Sequence, residues 1–155
     1  MKGGGSMAIK FEENEEELGM KVRAILGVPS EFLTDEVISS PVFLEQAKNY
    51  INKKIINYTI EANSTAEGLL KIGYIYYICY LLCIGMYARL PKQMDNVNTK
   101  TILLSIDWNQ MALEMKDRCD GTIDDALEEF QEEEITYGNT YAVLTDASEY
   151  PNTTI

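Results

Sequence analysis

Cys79 and Cys83 stand four residues apart, the spacing that sets two thiols on one face of a helix, and Cys119 is the third cysteine of the chain. Two such ligands begin a metal site, but a structural zinc wants four Cys or His, and the 155 residues hold no histidine. The expectation is three buried, apolar thiols and no metal. The missing histidine also removes the commonest general base at neutral pH. Carboxylates abound, 25 Asp and Glu against 13 Lys and Arg. They sit in dense runs, however, whereas a catalytic carboxylate is usually isolated in an apolar pocket that shifts its pKa. No phosphate-binding loop, dinucleotide fingerprint or nucleophile elbow is present. These residues point away from an enzyme and away from a cofactor.

The net charge of −12 disfavours broad nucleic-acid binding, which needs a basic face to displace counterions. It favours solubility, or a basic partner. From Asp120 to Glu134 there are eight acids and no base. Such a run is either a solvated face or a dedicated partner surface. With 46% hydrophobic residues the chain has the composition of a folded globular protein, and its length fits one domain. Three cysteines build no disulfide framework, so a reducing compartment is expected. No secretory signal is visible. The opening MKGGGS, ahead of a second methionine at Met7, has the look of an added leader; residues 1–10 are expected to be disordered.

Four helices are expected to carry the fold. The first spans Phe11 to Leu26, with Leu18, Val22 and Ile25 on one stripe and glutamates crowding its start, where negative charge suits the helix dipole. A single turn opened by Thr34 follows. Ser40-Pro41, a hydroxyl before a proline, starts the second, which runs to about Ile60. The third covers about Thr65 to Leu90 and opens on Ser64-Thr65-Ala66-Glu67, the form of a capping box. Thr101 to Ile106 is either a short strand or the lead into the next helix. The fourth begins near Asp107 or Trp108. Trp108, Met111, Met115, Cys119, Ile123, Ala126 and Phe130 keep helical spacing across Gly121, so one kinked helix and two short ones are both open. From Ile135 to Ile155 no helical stripe remains. That segment is either a frayed end or an extended arm adding to a neighbouring subunit, with Tyr137, Tyr141, Leu144 and Tyr150 as partner-binding residues.

The third helix is the most telling. Seventeen residues, Ile72 to Ala88, carry no charge. A helix apolar on every side must be enclosed by lipid or by protein. A bilayer span needs about 20 such residues. Against a span stand Lys71 one turn inside the start, five tyrosines (Tyr74, Tyr76, Tyr77, Tyr80, Tyr87) spread along the run instead of gathered at its ends, and ordinary start and stop signals with Arg89 and Pro91 closing it. Phenol hydroxyls find partners in a protein interior and mostly cannot in lipid. A buried central helix is the expectation.

The order of these segments resembles the head–tail connector, or adaptor, proteins of tailed bacteriophages. The residues that carry the likeness are Val22-Arg23-Ala24-Ile25-Leu26-Gly27-Val28 and the run Leu33-Thr34-Asp35-Glu36-Val37-Ile38-Ser39-Ser40-Pro41-Val42-Phe43-Leu44. The apolar third helix with Cys83 and Leu90-Pro91, the Asp107-Trp108 opening of the fourth, and the tail around Tyr141-Ala142 extend it over Leu18 to Leu144. The TILLSI segment and the heavy tyrosine content of the third helix depart from the family's pattern. The resemblance implies an all-α domain, residues 11–134, a bundle of about four helices with a central apolar helix and an extended C-terminal arm, residues 135–155. It implies a structural virion protein of the neck, assembled from the host cytoplasm as a homo-oligomeric ring, commonly of twelve copies. Such a ring would sit below the portal protein, extend the DNA channel without specific DNA binding, and dock the stopper or tail. No membrane and no catalytic residue belongs to that picture. The rival from a different class is an acidic DNA mimic that inhibits a host DNA-binding protein, suggested by the net charge and the run from Asp120.

Overall fold

The computed structural model describes residues 9–12, 14–93 and 97–128. Among them every regular element is helical and there is no strand. The helices are α1 (Glu15–Leu26), α2 (Asp35–Ile38), α3 (Pro41–Lys54), α4 (Thr65–Ile84), α5 (Met86–Gln93), α6 (Val97–Ser105) and α7 (residues 108–128). The all-α expectation therefore holds. Thr101–Ser105, left open between strand and helix, is helical, and α7 passes Gly121 without a break.

Local chemistry explains most boundaries. The Asn14 side chain accepts the Glu17 N–H at 2.9 Å, so α1 starts at Glu15 and not at Phe11. Phe11 instead stacks on Tyr74, ring centres 4.4 Å apart, and Ile9 ahead of it is buried, so packed chain begins inside the stretch expected to be disordered. Gly27, at φ 70°, closes α1 in the left-handed conformation and donates to the Arg23 carbonyl. The buried stripe of α1 is Leu18, Val22 and Leu26; Ile25 lies at its margin. Thr34 caps α2 as expected. Pro41 occupies the first turn of α3, but the Ser40 hydroxyl makes no capping bond. That helix stops at Lys54, short of Ile60. At α4 one half of the capping box forms, the Ser64 hydroxyl accepting the Glu67 N–H at 3.1 Å; the buried Glu67 carboxylate reaches back one residue further than the cap, to the Asn63 N–H at 2.8 Å.

The third predicted helix is divided at Gly85. There Arg89 folds back to donate to the Leu82 carbonyl at 3.3 Å, capping the end of α4 with a cation. α4 is the spine. Ala66, Glu67, Leu70, Gly73, Tyr74, Ile75, Ile78, Cys79, Leu82 and Cys83 are buried along it, and α1, α3 and α5 pack against it. It is long and apolar enough to cross a bilayer, with a mean hydropathy of 1.4, yet half of that window is buried inside the fold. Enclosure is incomplete: Ile72 and Ile84 are about half exposed, at 46% and 55%, and Tyr76, Tyr77 and Tyr80 are half-buried.

Orientation follows from paired contacts. Phe43 lies under Arg89, Tyr50 under Tyr77, and Ile51 beside Gly73, so α3 runs antiparallel to α4. Trp108 meets Tyr87, Lys116 meets Tyr80, and Ile123 meets Gly73, so α7 is antiparallel to α4 as well. α3 and α7 thus run in the same direction. Trp108 anchors the start of α7: its indole donates to the Leu103 carbonyl at 2.8 Å, and its N–H donates to the Tyr87 hydroxyl, which donates to the Ile106 carbonyl. Trp108, Ala112, Met115, Cys119, Ile123 and Ala126 form the buried stripe of α7; five of them are residues the spacing predicts, Ala112 is buried in addition, Met111 is half-buried, and Phe130 lies outside the described residues. Each large apolar side chain fully removed from water contributes roughly 1.5–3 kcal/mol before entropy is counted.

Candidate functional site

Cys79 and Cys83 have the clearest metal-ligand spacing in the chain. All three cysteines are free and buried. Burial pushes the Cys83 and Cys119 thiols up to about 12, and raises Cys79 as well, its neighbour Cys83 adding to the effect. Neutral thiols are neither good nucleophiles nor ready metal ligands. Among the described residues no group of acids and cysteines is arranged to hold a metal ion.

Two polar constellations remain. The first joins the two segments that carry the family likeness. Arg23, on α1, donates to the Leu33 carbonyl at 3.0 Å and pairs with Asp35, at the start of α2, at 2.7 Å. The buried Asp35 Oδ1 has no aligned donor, so this is an ion pair held by charge instead of a directed hydrogen bond. Asp35 lies so close over α1 that a Cβ on Gly19 would clash with its Oδ1. Glycine at 19, arginine at 23 and aspartate at 35 thus form one device fixing α2 on α1. The D-E-V-I-S-S-P run is accounted for locally as a corner: a threonine cap, one turn, and a proline-started helix.

The second constellation lies where α3, α4 and α7 meet. Tyr50 stacks on Tyr77, ring centres 4.3 Å apart, and Tyr77 leans on Tyr80 at 5.3 Å. The Tyr50 hydroxyl donates to the Asp120 carboxylate, whose other oxygen takes Lys116 at 3.2 Å. The Lys116 ammonium stands 4.9 Å from the Tyr50 ring centre and 5.9 Å from that of Tyr80, and Lys54 approaches Tyr50 at 5.4 Å. On the neighbouring ring, Arg118 lies 6.0 Å from the centre of Tyr76. Burial, then the bond to Asp120, pushes the Tyr50 phenol up to about 12. Burial also raises Tyr77. The Tyr50 oxygen, then Asp120, raises Lys116. Near neutral pH the phenol is therefore neutral and the lysine charged. The arrangement presents stacked aromatic faces and fixed cations where three helices meet.

Of the residues singled out in the sequence, Tyr137, Tyr141, Leu144 and Tyr150 lie outside the described residues, as does the acidic run beyond Glu128. The Tyr50–Lys116–Asp120 group was not foreseen. Lys116 and Asp120 have helical i,i+4 spacing, and Tyr77 and Tyr80 i,i+3, but nothing local says that Tyr50, 70 residues from Asp120, lands on them. Compared with protein-family models, with curated proteins and with solved structures, the chain matches none.

Proposed function

We propose that this protein is a head–tail connector of a tailed phage: a bundle of about four helices, with the segment from Ile135 as an arm, that assembles into a homo-oligomeric ring beneath the portal. The observation that carries the reading is the run from Asp35 to Leu44, which forms α2 and the first turn of α3, together with the segment from Val22 to Val28, to which Arg23 and Asp35 bind it. Two features add support. Ile102, Leu104 and Leu113 are exposed at 63%, 44% and 60%, apolar side chains that assembly with neighbours would cover. The exposed acids of α7, Glu114, Asp117, Asp124, Asp125 and Glu128, would repel phosphate in a channel that must pass DNA without holding it.

The test is mass photometry of the full chain mixed with the portal protein of its own phage. A ring-sized species that survives raised salt is expected. A chain that stays monomeric with portal present overturns the proposal. Salt-labile capture by a DNA-binding protein would favour the acidic DNA mimic instead.

A further inference from the structure

The charge of this molecule is unevenly placed. From Asp120 to the last residue there are ten acids and no base, while the first 119 residues hold 15 acids and 13 bases. The body is close to neutral and the deficit belongs to the final quarter. Within the described part of that quarter, Asp120, Asp124 and Glu128 repeat every four residues, one row along α7, and Glu132 continues the spacing in the sequence.

α3 and α7 run the same way along α4, so α7 leaves the fold at the end where α3 stops. The last turn of α3 carries Lys53 and Lys54, both exposed. Lys53 and Lys54 suit the negative end of the α3 dipole. Lys54 does more, because its ammonium stands above the Tyr50 ring beside Lys116. Two cations share that ring, and of the acids only Asp120 pairs with Lys116; Lys54 has no ion pair among the described residues. Glu128 lies eight residues past Asp120, about 12 Å further along the helix at ~1.5 Å per residue. The next residues in the chain are Glu129, Phe130, Gln131, Glu132, Glu133 and Glu134.

We propose that the lysine pair at the end of α3, with the Tyr50 platform behind it, is the docking site for this chain's own acidic segment, residues 129–134, binding it in the same molecule. Two arguments select that occupant: opposite charge, and the direction in which α7 delivers the chain, since residues 129–134 follow Glu128 directly at the end of the fold where α3 stops. The contact needs no ring, so it stands or falls apart from the connector reading. Its effect is to neutralise part of the acidic run and fix where the remaining chain departs.

A carbodiimide, which joins only touching ammonium and carboxylate groups, tests it on the full chain. Lys116–Asp120, at 3.2 Å, is the internal control. Links from Lys53 or Lys54 to Glu129, Glu132, Glu133 or Glu134 are expected within single chains, and loss of most of them in about 1 M salt, where screening acts over roughly 3 Å. A mixture of isotopically heavy and light chains reads which molecule supplied each end; links found only between chains overturn the assignment, as does the control link alone. As a second measurement, the Lys53→Glu/Lys54→Glu chain, altered only at exposed positions, should be cut at Glu132–Glu134 by a glutamate-specific protease roughly fivefold faster than the parent. An unchanged rate also overturns it.

Discussion

Gly19 holds its place because Asp35 leaves no room for a side chain. Gly19→Ala should displace the carboxylate from Arg23; the lost contact is offset in part by the gain of alanine over glycine inside a helix, so a net cost of only about 0–1 kcal/mol is expected, read by denaturant unfolding. If the clash is the cause, adding Asp35→Ala should recover part of that loss, so the two changes together cost less than their sum. Tyr50 gives a second prediction. Its phenol is pushed from 10.0 up to about 12 in the fold. The folded state thus holds this proton more tightly than the unfolded chain, and the corresponding stability is full below pH 10 and lost as pH rises from 10 through about 12. Unfolding curves across that window should fall more steeply for the parent than for Tyr50→Phe. At pH 7 the same variant, lacking the bond to Asp120, should be weaker by roughly 1 kcal/mol.

At the scale of the helix, α7 shows what spacing can and cannot reveal. Its six buried residues stand where a 3.6-residue period puts them, because one face of a helix packed on α4 must be apolar. Gly121 raised the question of a break. The answer depended on packing on both sides of it, Cys119 and Ile123 against Gly73, which no local signal contains. Glycine there is exposed, inside a helix, and a Cβ would meet nothing within 4 Å. Gly121→Ala should therefore stabilise the protein by about 0.5–1 kcal/mol, seen as a higher Tm. The capping box at Ser64 was legible for the opposite reason: its two bonds are made within five residues. The division of the apolar helix at Gly85 was not, since it depends on Arg89 returning to Leu82 and lying over Phe43 of a different helix. The early stop of α3 and the helical form of TILLSI belong with it, settled by tertiary surroundings in segments whose own preferences are balanced.

For the whole molecule, the all-α class and most of the core were legible, because apolar periodicity survives in α1 and α7 and α4 is apolar all round. The candidate site was not. The arm residues lie outside the described chain, and the tyrosine platform exists only because three helices far apart in sequence converge. Core integrity can be followed through the cysteines, which lie on α4 and α7, two helices packed together. With their pKa values raised by burial, all three thiols should resist a disulfide reagent near neutral pH and react together once denaturant opens the fold. Staggered reaction, with Cys119 ahead, would mean that α7 detaches before α4 is exposed.

The shared heading of α3 and α7 has one more consequence. Asp120, Asp124, Asp125 and Glu128 gather negative charge toward one extremity, while the rest of the body is nearly balanced. Negative charge is therefore denser toward the end of α7 than along the rest of that helix. A polyanion repels the molecule as a whole, at a net charge of −12, and repels that end most, so the least unfavourable approach presents another face. With no histidine to titrate, this bias holds across the physiological pH range and weakens as ionic strength rises.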